Sequence, residues 1–482
     1  MLGAMILLHR WLGIAFCLLF AMWFASGIVM HFVPFLSLSE AERFEGLAPL
    51  GNMGTAIGPS DAVVASGLSD TARVRLIRRS DGPVYVVARA SRLRAIRTTD
   101  GTDAAVTSPD VALAIAIDHA RRRGLAVARA SVVALAEYDQ WSVPNGFDRH
   151  RPLFRVALDD ADGTELYVSS VTGEIVLDTR RRERGWNLVG SVVHWIYPTV
   201  LRRNWSLWDG VVWSLSLLAL IAAVLGAALG IARIRVREGR MRSPYLGWHA
   251  LHHVIGLLAT TFVVTWIFSG WLSMDHGRLF SRGQLTQVEA DIAAAVPDWR
   301  TLAEVNWPLV SPSAREVEWF AFNGRLYRRD RVGLDQQILF RAGGAASDDP
   351  SAFLTPRDII GLTERLATGC GRPSLVQGND DYPASSVQPG GPVYRTRCGD
   401  VWFDIDGASG VTLQRLDRSR RAYRWLYGAL HTLDLPILLK HPHARSILIV
   451  GLCALGFLFS LTGIVIGWRR LRYTIGAGML RP

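Results

Sequence analysis

The sequence predicts an integral membrane α-helical protein, with four transmembrane helices in a tandem parallel duplication and two exported α+β domains. Half of its 482 residues are hydrophobic. The chain contains four apolar runs of the ~20 residues that are needed to cross ~30 Å of hydrocarbon. Two long polar segments separate these runs, and the second half of the chain repeats the pattern of the first. Each part of the fold class follows from one of these observations.

Each apolar run is interpreted as a transmembrane helix. The first run, 11–33, is longer than the apolar core of a signal peptide, and no small-residue cleavage site ends it. The later runs, 211–232, 254–274 and 447–468, contain no ionisable side chain except Cys453. The predicted transmembrane helices are residues 5–34, 209–233, 249–275 and 446–469.

Charge predicts the orientation. Four spans place both termini on one side of the membrane and both polar segments on the other. Residues 233–247, between the second and third spans, contain five arginines and a single glutamate, Glu238, and positive charge in short loops marks the cytoplasmic side. The remaining predicted segments are exported domain 36–185, pre-membrane segment 186–208, cytoplasmic loop 234–248, exported domain 277–420, pre-membrane segment 421–445 and cytoplasmic tail 470–482.

Composition and motifs exclude several classes of function. The net charge of +11 comes mainly from arginine-rich flanks of the spans, whereas a nucleic-acid-binding protein would carry a soluble basic face; no nucleic acid is expected as a partner. The chain contains no dinucleotide-binding, P-loop or H-E-x-x-H motif. It also contains no C-x-x-C-H, which excludes a covalently attached c-type haem.

An internal repeat relates the two halves of the chain. At an offset of 243 residues His9 falls on His252, and at an offset of 237 residues His194 falls on His431. Both halves run in the same direction, which predicts a pseudo-twofold axis along the membrane normal. Two G-x-x-x-G steps, which favour close helix packing, also match at the second offset: Gly226 and Gly230 with Gly463 and Gly467.

The exported segments each alternate strand-like stretches with one amphipathic helix, which predicts a small α+β domain twice. The helices are expected within 108–124 and near 355–367. Cys370 and Cys398 both lie in the second exported segment. Two thiols in an oxidising compartment often pair, so a disulfide is predicted; the alternative is two unpaired buried thiols.

Four histidines at matched repeat positions are the candidate cofactor ligands. His9 and His252 open the first and third spans, and His194 and His431 lie in the two pre-membrane segments. Ionisable groups at membrane depth are functional candidates by default, and neutral imidazole binds haem iron. Two symmetric pairs therefore predict two haem groups, with interfacial or structural histidines as the alternative. Glycines that would leave room for a macrocycle follow two of these histidines by one helical turn: Gly13 and Gly256.

The ligand set leaves alternatives open. His249, His252 and His253 share one helical face; the repeat register favours His252, with His253 as the fallback ligand. His31 and His276 close their spans on the exported side, but they are out of register with each other.

Several of these stretches resemble a known family. "LHRWLGI", "VVHWIYP", "HHVIGL" and "YGALHTLDLP" are similar to motifs of the PepSY-associated transmembrane proteins of bacterial inner membranes. "ELYVSSVTGEIV" and "VWFDIDGASGVTL" resemble strand endings of the PepSY domain, and the resemblance covers nearly the whole chain. It implies an inner-membrane protein with periplasmic PepSY-like domains. Some members are haem-containing ferric siderophore reductases, which implies b-type haems on histidines like His9, His252, His194 and His431.

The leading expectation is therefore a transmembrane oxidoreductase with two haem b groups that reduces a ferric siderophore or a similar periplasmic chelate. Its electrons would come from membrane quinol or a cytoplasmic reductase. A haem-free PepSY membrane anchor that binds another envelope protein, and an accessory of iron-chelate uptake, are the alternatives. The polar stretches 137–141 and 377–383 are candidate substrate contacts or ordinary loops.

Overall fold

The computed structural model describes residues 2–52, 57–68, 71, 73–89, 91–237, 240–293, 299, 309–342, 351–378, 380–383 and 390–479. Glu238, Asn379 and the end of the predicted tail, 480–482, lie outside the described residues. The chain divides into two compact units. The helical unit comprises Met1–Phe35, Gly185–Phe280 and Arg421–Pro482, and the sheet unit comprises Leu36–Arg184 and Ser281–Arg420.

The helices of the described residues are α1 Leu2–Phe32, α2 Glu40–Glu45, α3 Pro59–Ser66, α4 Pro109–Arg122, α5 Arg181–Asn187, α6 Thr199–Arg202, α7 Trp205–Ala232, α8 Gly247–Ser273, α9 Gln287–Ala293, α10 Pro356–Leu366, α11 Arg418–Tyr423, α12 Pro436–Leu439 and α13 Pro442–Met479.

The strands of the described residues are β1 Arg73–Arg79, β2 Gly82–Arg89, β3 Arg92–Arg97, β4 Ser131–Ala136, β5 Leu153–Ala157, β6 Glu165–Ser169, β7 Ile175–Thr179, β8 Arg235–Arg237, β9 Arg240–Arg242, β10 Glu316–Phe322, β11 Arg325–Arg331, β12 Gln337–Arg341, β13 Ser374–Leu375, β14 Val393–Cys398, β15 Val401–Asp406 and β16 Thr412–Leu416.

Helices α1, α7, α8 and α13 are, within the described part of the chain, long and apolar enough to cross a membrane. With a rise of ~1.5 Å per residue, each exceeds the ~30 Å of the hydrocarbon layer. They confirm the four predicted helices, and the protein is a membrane protein. Helices α1 and α8 each pack against both α7 and α13, and Phe24 of α1 contacts Phe262 and Trp266 of α8 in the core of the unit.

The central sheet of the sheet unit combines strands from both polar segments. Its order is β12–β11–β10–β1–β2–β3, and β1 pairs with β10 in antiparallel register with Arg75 opposite Glu318. The sequence predicts that the two polar segments form separate α+β domains, whereas in the structure the pairing of β1 with β10 joins them in one sheet. Strand β10 is buried at every position, as expected for a strand that is covered on both faces.

Two four-stranded antiparallel sheets complete the sheet unit, one from each polar segment: β4–β5–β6–β7 and β13–β14–β15–β16. Helix α4 packs Ile115 and Ala116 onto the first, against Phe154 and Val168. Helix α4 begins where Ser108 accepts a hydrogen bond from the backbone N–H of Asp110, which is a standard N-cap.

Helix α10 packs against the second small sheet. Ile359 and Leu362 contact a core that contains Phe403 and Ile405. Thr355 and Asp358 form a capping box at the start of this helix. Cys370, which follows the helix, is disulfide-bonded to Cys398 at the end of β14.

A buried ion-pair network ties the shared sheet together. The Glu316 side chain is 1% exposed, and its carboxylate accepts hydrogen bonds from Arg43, Arg75 and Arg331 at 2.9–3.2 Å. Arg75 also donates to Glu174 at 2.7 Å. Burial alone would raise the pKa of Glu316, but the surrounding guanidinium groups hold it well below its usual value. The network therefore links α2, β1, β10 and β11 through one ionised carboxylate.

Acid should destabilise the sheet unit below about pH 6.5. Burial lowers the pKa of His119 to about 3 and that of His150 to about 4, while the unfolded chain titrates near 6.5. The unfolded state therefore binds more protons below pH 6.5. Above that pH the two histidines do not reduce the free energy of unfolding. As the pH decreases below it, the free energy of unfolding falls by up to ~1.4 kcal/mol per histidine per pH unit until the pKa of the folded state is reached.

Thermal unfolding of the full-length protein between pH 7.5 and 5 measures this dependence. We expect the unfolding midpoint to fall with pH, and His119→Leu to make the fall shallower. Equal slopes for the wild type and the variant would contradict the assignment of a neutral buried His119.

Candidate functional site

The four histidines of the predicted ligand set all lie in the helical unit. We call His194 and His431 the pre-membrane pair, and His9 and His252 the helix-start pair, because the latter lie near the beginnings of α1 and α8. The rings of the pre-membrane pair have centroids 6.4 Å apart and planes inclined by 67°. Within the described residues, His194 and His431 are in direct ring contact, and His9 and His252 are not.

Each ring of the pre-membrane pair is held by a serine on a membrane-spanning helix. Nδ1 of His194 lies 3.0 Å from the Ser26 hydroxyl on α1, and Nδ1 of His431 lies 3.1 Å from the Ser269 hydroxyl on α8. The two serines are separated by the 243-residue offset and the two histidines by the 237-residue offset. The contact is therefore the same in both halves of the chain.

The serine hydrogen bonds fix the tautomer of both rings. Ser26 donates its own hydroxyl proton to the carbonyl of Met22 at 2.6 Å, and Ser269 donates to the carbonyl of Trp266 at 3.0 Å. Each serine oxygen therefore accepts a hydrogen bond from Nδ1–H, which leaves Nε2 without a proton and with its lone pair available. Burial lowers the pKa of both histidines, to about 3 for His194, so that both rings are neutral at pH 7.

The helix-start pair has the same tautomer. Nδ1 of His9 lies 3.1 Å from the carbonyl oxygen of Ala222 on α7, which can only accept. Nδ1 of His252 lies 2.8 Å from the hydroxyl of Thr462 on α13, and Thr462 donates its own proton to the carbonyl of Phe459. All four candidate histidines thus carry the proton on Nδ1 and leave Nε2 as the nitrogen that can bind a metal.

The fallback ligand His253 differs from these four. Its Nε2 lies 2.9 Å from the carbonyl oxygen of Gly230, and its Nδ1 lies 3.0 Å from the Ser243 hydroxyl. Because a carbonyl can only accept, Nε2 of His253 is protonated, and both ring nitrogens are used. His253 therefore connects α8 to the end of α7 and is not set up to bind a metal.

The other alternative ligands, His31, His276 and His249, also differ from the four candidate histidines in their contacts. Nε2 of His31 lies 2.8 Å from the Ser446 hydroxyl, which connects α1 to α13. Nδ1 of His276 lies 2.6 Å from the Asp209 carboxylate, and no histidine opposes it within the described residues. His249 is exposed. These contacts are consistent with the choice of His252, which the repeat register favours.

Unusual backbone surrounds both histidines of the pre-membrane pair. A π-helical segment precedes each one, Leu188–Val192 before His194 and Arg424–Ala429 before His431. Ile196 and Leu433, two residues after each histidine, both have φ of 50°. This conformation is unfavourable for side chains of this size, and π-helical turns are frequent at functional sites. Strained backbone therefore occurs at matched positions beside both rings.

One glycine, Gly226, provides room for a ring of the helix-start pair, and the two glycines that the sequence predicts, Gly13 and Gly256, differ from each other. A Cβ at Gly226 would lie 2.7 Å from the His9 ring, so this glycine makes space for the histidine. Gly13 has nothing within 4 Å of a Cβ. At Gly256 the space is taken by Phe459, whose ring stacks on His252 at 4.7 Å. The expected clearance at Gly256 is thus wrong.

The two polar stretches that were candidate substrate contacts are used within the sheet unit. Asp139 accepts hydrogen bonds from the backbone of Trp141 and from the Tyr167 hydroxyl, at 2.9 and 2.8 Å. Asp380 accepts from Arg395 at 2.6 Å, and Arg395 also contacts Asp404. These contacts favour the interpretation of both stretches as structured loops.

The serines and the threonine that position the rings were not identified from the sequence. Ser26 and Ser269 do match at the 243-residue offset, so the repeat carried a signal for them. Thr462 has no such counterpart, because the matched position is Leu225. Its role depends on the packing of α8 against α13.

The described residues hold no group of three or more histidine, cysteine, aspartate or glutamate side chains that could bind a bare metal ion. A haem needs only one or two protein ligands, so the paired histidines are the relevant candidates. The chain matches no known family model and no curated protein sequence. The functional argument therefore depends on the geometry of the helical unit.

Proposed function

We propose that this protein is a transmembrane b-type dihaem oxidoreductase that moves electrons across the bacterial inner membrane to reduce a periplasmic ferric chelate. The observation that carries the proposal is that Nδ1 of each of the four candidate histidines, His9, His194, His252 and His431, is hydrogen-bonded to an oxygen at 2.8–3.1 Å. Four half-buried rings, each fixed through Nδ1 so that the Nε2 lone pair remains for a metal, match the second-shell arrangement of histidine metal ligands.

The separation of the two rings in the pre-membrane pair supports a shared iron atom. Two imidazoles that bind one metal from opposite sides have ring centres on the order of 6 Å apart, because each metal–nitrogen bond is about 2.0–2.1 Å. The centroid distance between His194 and His431 is 6.4 Å. The repeat, which we propose to be a true tandem duplication, would supply one ligand from each half.

The protein contributes ligation, orientation and exclusion of water. His194 and His431 would hold one haem, and His9 and His252 the other. Ser26 and Ser269 orient the imidazoles, and Trp23 donates to the backbone carbonyl of His194 at 2.9 Å. Bound haem supplies one-electron chemistry between ferric and ferrous iron.

The proposed orientation places the sheet unit in the periplasm and both termini in the cytoplasm. The arginines of the β8–β9 region and of the end of α13 support it, because short positively charged segments stay in the cytoplasm. The disulfide between Cys370 and Cys398 supports it independently, since disulfides persist in oxidising compartments. In this orientation the pre-membrane pair lies at the periplasmic side, where a ferric siderophore or similar chelate would accept the electron.

The presence of haem is the first test. Full-length protein, purified in detergent after haem-replete expression, should show a sharp α-band after dithionite reduction. Addition of ferric citrate or a ferric trihydroxamate should reoxidise it, with ferrozine trapping one Fe(II) per electron. A colourless protein would instead favour the haem-free membrane anchor, whose sheet unit would bind another envelope protein. A coloured protein that no ferric chelate reoxidises would support the proposed haem but refute the proposed ferric substrate.

Loss of the serine hydrogen bond should weaken haem binding at the pre-membrane pair. Ser26→Ala or Ser269→Ala removes the acceptor of Nδ1, and loss of such second-shell partners typically costs about 10- to 100-fold in metal affinity. Haem transfer to apomyoglobin measures this. The control is Ser460→Ala, because Ser460 is buried on α13 and donates to the carbonyl of Gly456, and it forms no hydrogen bond with a histidine of the described residues. Equal haem loss from all three variants would contradict a specific role of the two serines.

A further inference from the structure

The connection between α7 and α8 is a β-hairpin rather than an irregular loop. Strands β8 and β9 pair in antiparallel register, with Arg235 opposite Arg242 and Val236 opposite Met241. Helix α7 ends at Ala232, three residues before β8. At ~3.3–3.6 Å per residue, the base of the hairpin lies within about 11 Å of that helix end. Both flanking helices are membrane spans, so the hairpin is confined to the boundary of the bilayer.

His253 fastens the hairpin to the helix ends. Its two nitrogens connect Ser243, the residue after β9, to the carbonyl of Gly230 near the end of α7. The ring of Tyr245 packs against His253 edge-on at 5.4 Å. The hairpin therefore has a fixed base, and the histidine that does not suit a metal has a structural role.

The hairpin exposes an apolar pair beside a pair of like charges. Val236 and Met241 face each other across the strands and are 72% and 79% exposed. Arg235 and Arg242 are also opposite one another, and directly opposed like charges are destabilising. Among the described residues, no acidic side chain forms an ion pair with either arginine. The same small element thus carries a largely exposed apolar pair and two arginines that form no ion pair with an acidic side chain of the described residues.

We propose that this hairpin binds the anionic phospholipid surface of the membrane. Arg235 and Arg242 bind lipid phosphate groups, while Val236 and Met241 enter the apolar edge of the headgroup layer, as in amphipathic interfacial helices. The headgroup layer is about 5–8 Å thick on each side, so a hairpin confined to the boundary meets phosphate and hydrocarbon together. This inference does not depend on haem.

Depth measurement tests the apolar half of the proposal. Full-length protein with Cys17→Ala and Cys453→Ala is placed in nanodiscs that contain phosphatidylcholine and phosphatidylglycerol. A nitroxide on Val236→Cys should relax with dissolved oxygen rather than with a water-soluble nickel complex. The control is a nitroxide on Arg121→Cys, on the exposed face of α4, which should respond to nickel. Equal nickel access at both labels would overturn the proposal and favour a hairpin that projects toward a protein partner.

Lipid retention tests the charged half. Native mass spectrometry of the wild type should show bound phosphatidylglycerol in preference to phosphatidylcholine. Arg235→Gln with Arg242→Gln should reduce that preference by on the order of tenfold, since each arginine at an anionic surface contributes a factor of about five. Arg121→Gln is the control for loss of charge elsewhere. An unchanged preference in the double variant would overturn the assignment of the two arginines.

Discussion

Replacement of His194 or His431 by alanine should remove one of two haems and leave the other in place. Both rings would hold the same haem, so either variant alone should empty that site. The haem content of purified full-length protein, measured by the pyridine haemochrome assay, should fall from about two haems per chain to about one. The haem that remains at His9 and His252 reports that the helical unit is still folded. Each variant therefore carries its own folding control.

The matched control for this experiment is His253→Ala. His253 lies next to a proposed ligand, but both of its nitrogens are already used by Ser243 and Gly230. We expect this variant to retain both haems, whereas His252→Ala should lose the haem of the helix-start pair. Full haem content in both His194→Ala and His431→Ala would refute the ligand assignment. Loss of haem in His253→Ala alone would move the assignment to the fallback residue.

Replacement of Glu316 by glutamine should unfold the sheet unit at markedly lower temperature. The substitution leaves Arg43, Arg75 and Arg331 around a buried neutral side chain, and breaking a buried ion pair from one side typically costs about 3–5 kcal/mol. For a unit of this size, the unfolding midpoint should fall by on the order of 10 °C. Differential scanning fluorimetry of the full-length protein measures the midpoint, and limited proteolysis shows which unit opens first.

The control for Glu316→Gln is Asp400→Asn. Asp400 forms an ion pair with Arg418 at 2.8 Å, but both side chains are largely exposed, and such pairs contribute little. We expect no measurable shift of the midpoint. A shift for Asp400→Asn as large as that for Glu316→Gln would show that burial of the network is not what matters.

Local sequence signals predicted the helical unit but not the way in which the sheet unit is joined. Long apolar runs specify spans by themselves, so the ends of α1, α7, α8 and α13 were predicted to within four residues, except that α13 continues to Met479, ten residues past the predicted end. The pairing of β1 with β10 has no local signal, because strand periodicity marks a strand but not its distant neighbour. The β8–β9 hairpin was missed for another reason: its arginine-rich sequence has low strand propensity and was interpreted as a loop.

The candidate site was partly visible in the sequence. The repeat offsets selected His9, His252, His194 and His431 from twelve histidines. The tautomer of each ring depends on an acceptor from another element, such as Ala222 or Thr462, and these contacts exist only after the helices pack. The π-helical segments before the pre-membrane pair have no recognised sequence signature, so they could not be anticipated.

The strand pair β1–β10 imposes an order on biosynthesis. Residues 73–79 must wait for residues 316–322, which a ribosome adding about 5–20 residues per second supplies on the order of 10 to 50 s later. During that interval β1 is the open edge of a three-stranded sheet, and open edges invite pairing with other chains. The nascent first half therefore exposes this edge until the second half is made, and the two halves, expressed as separate polypeptides, should pair through it.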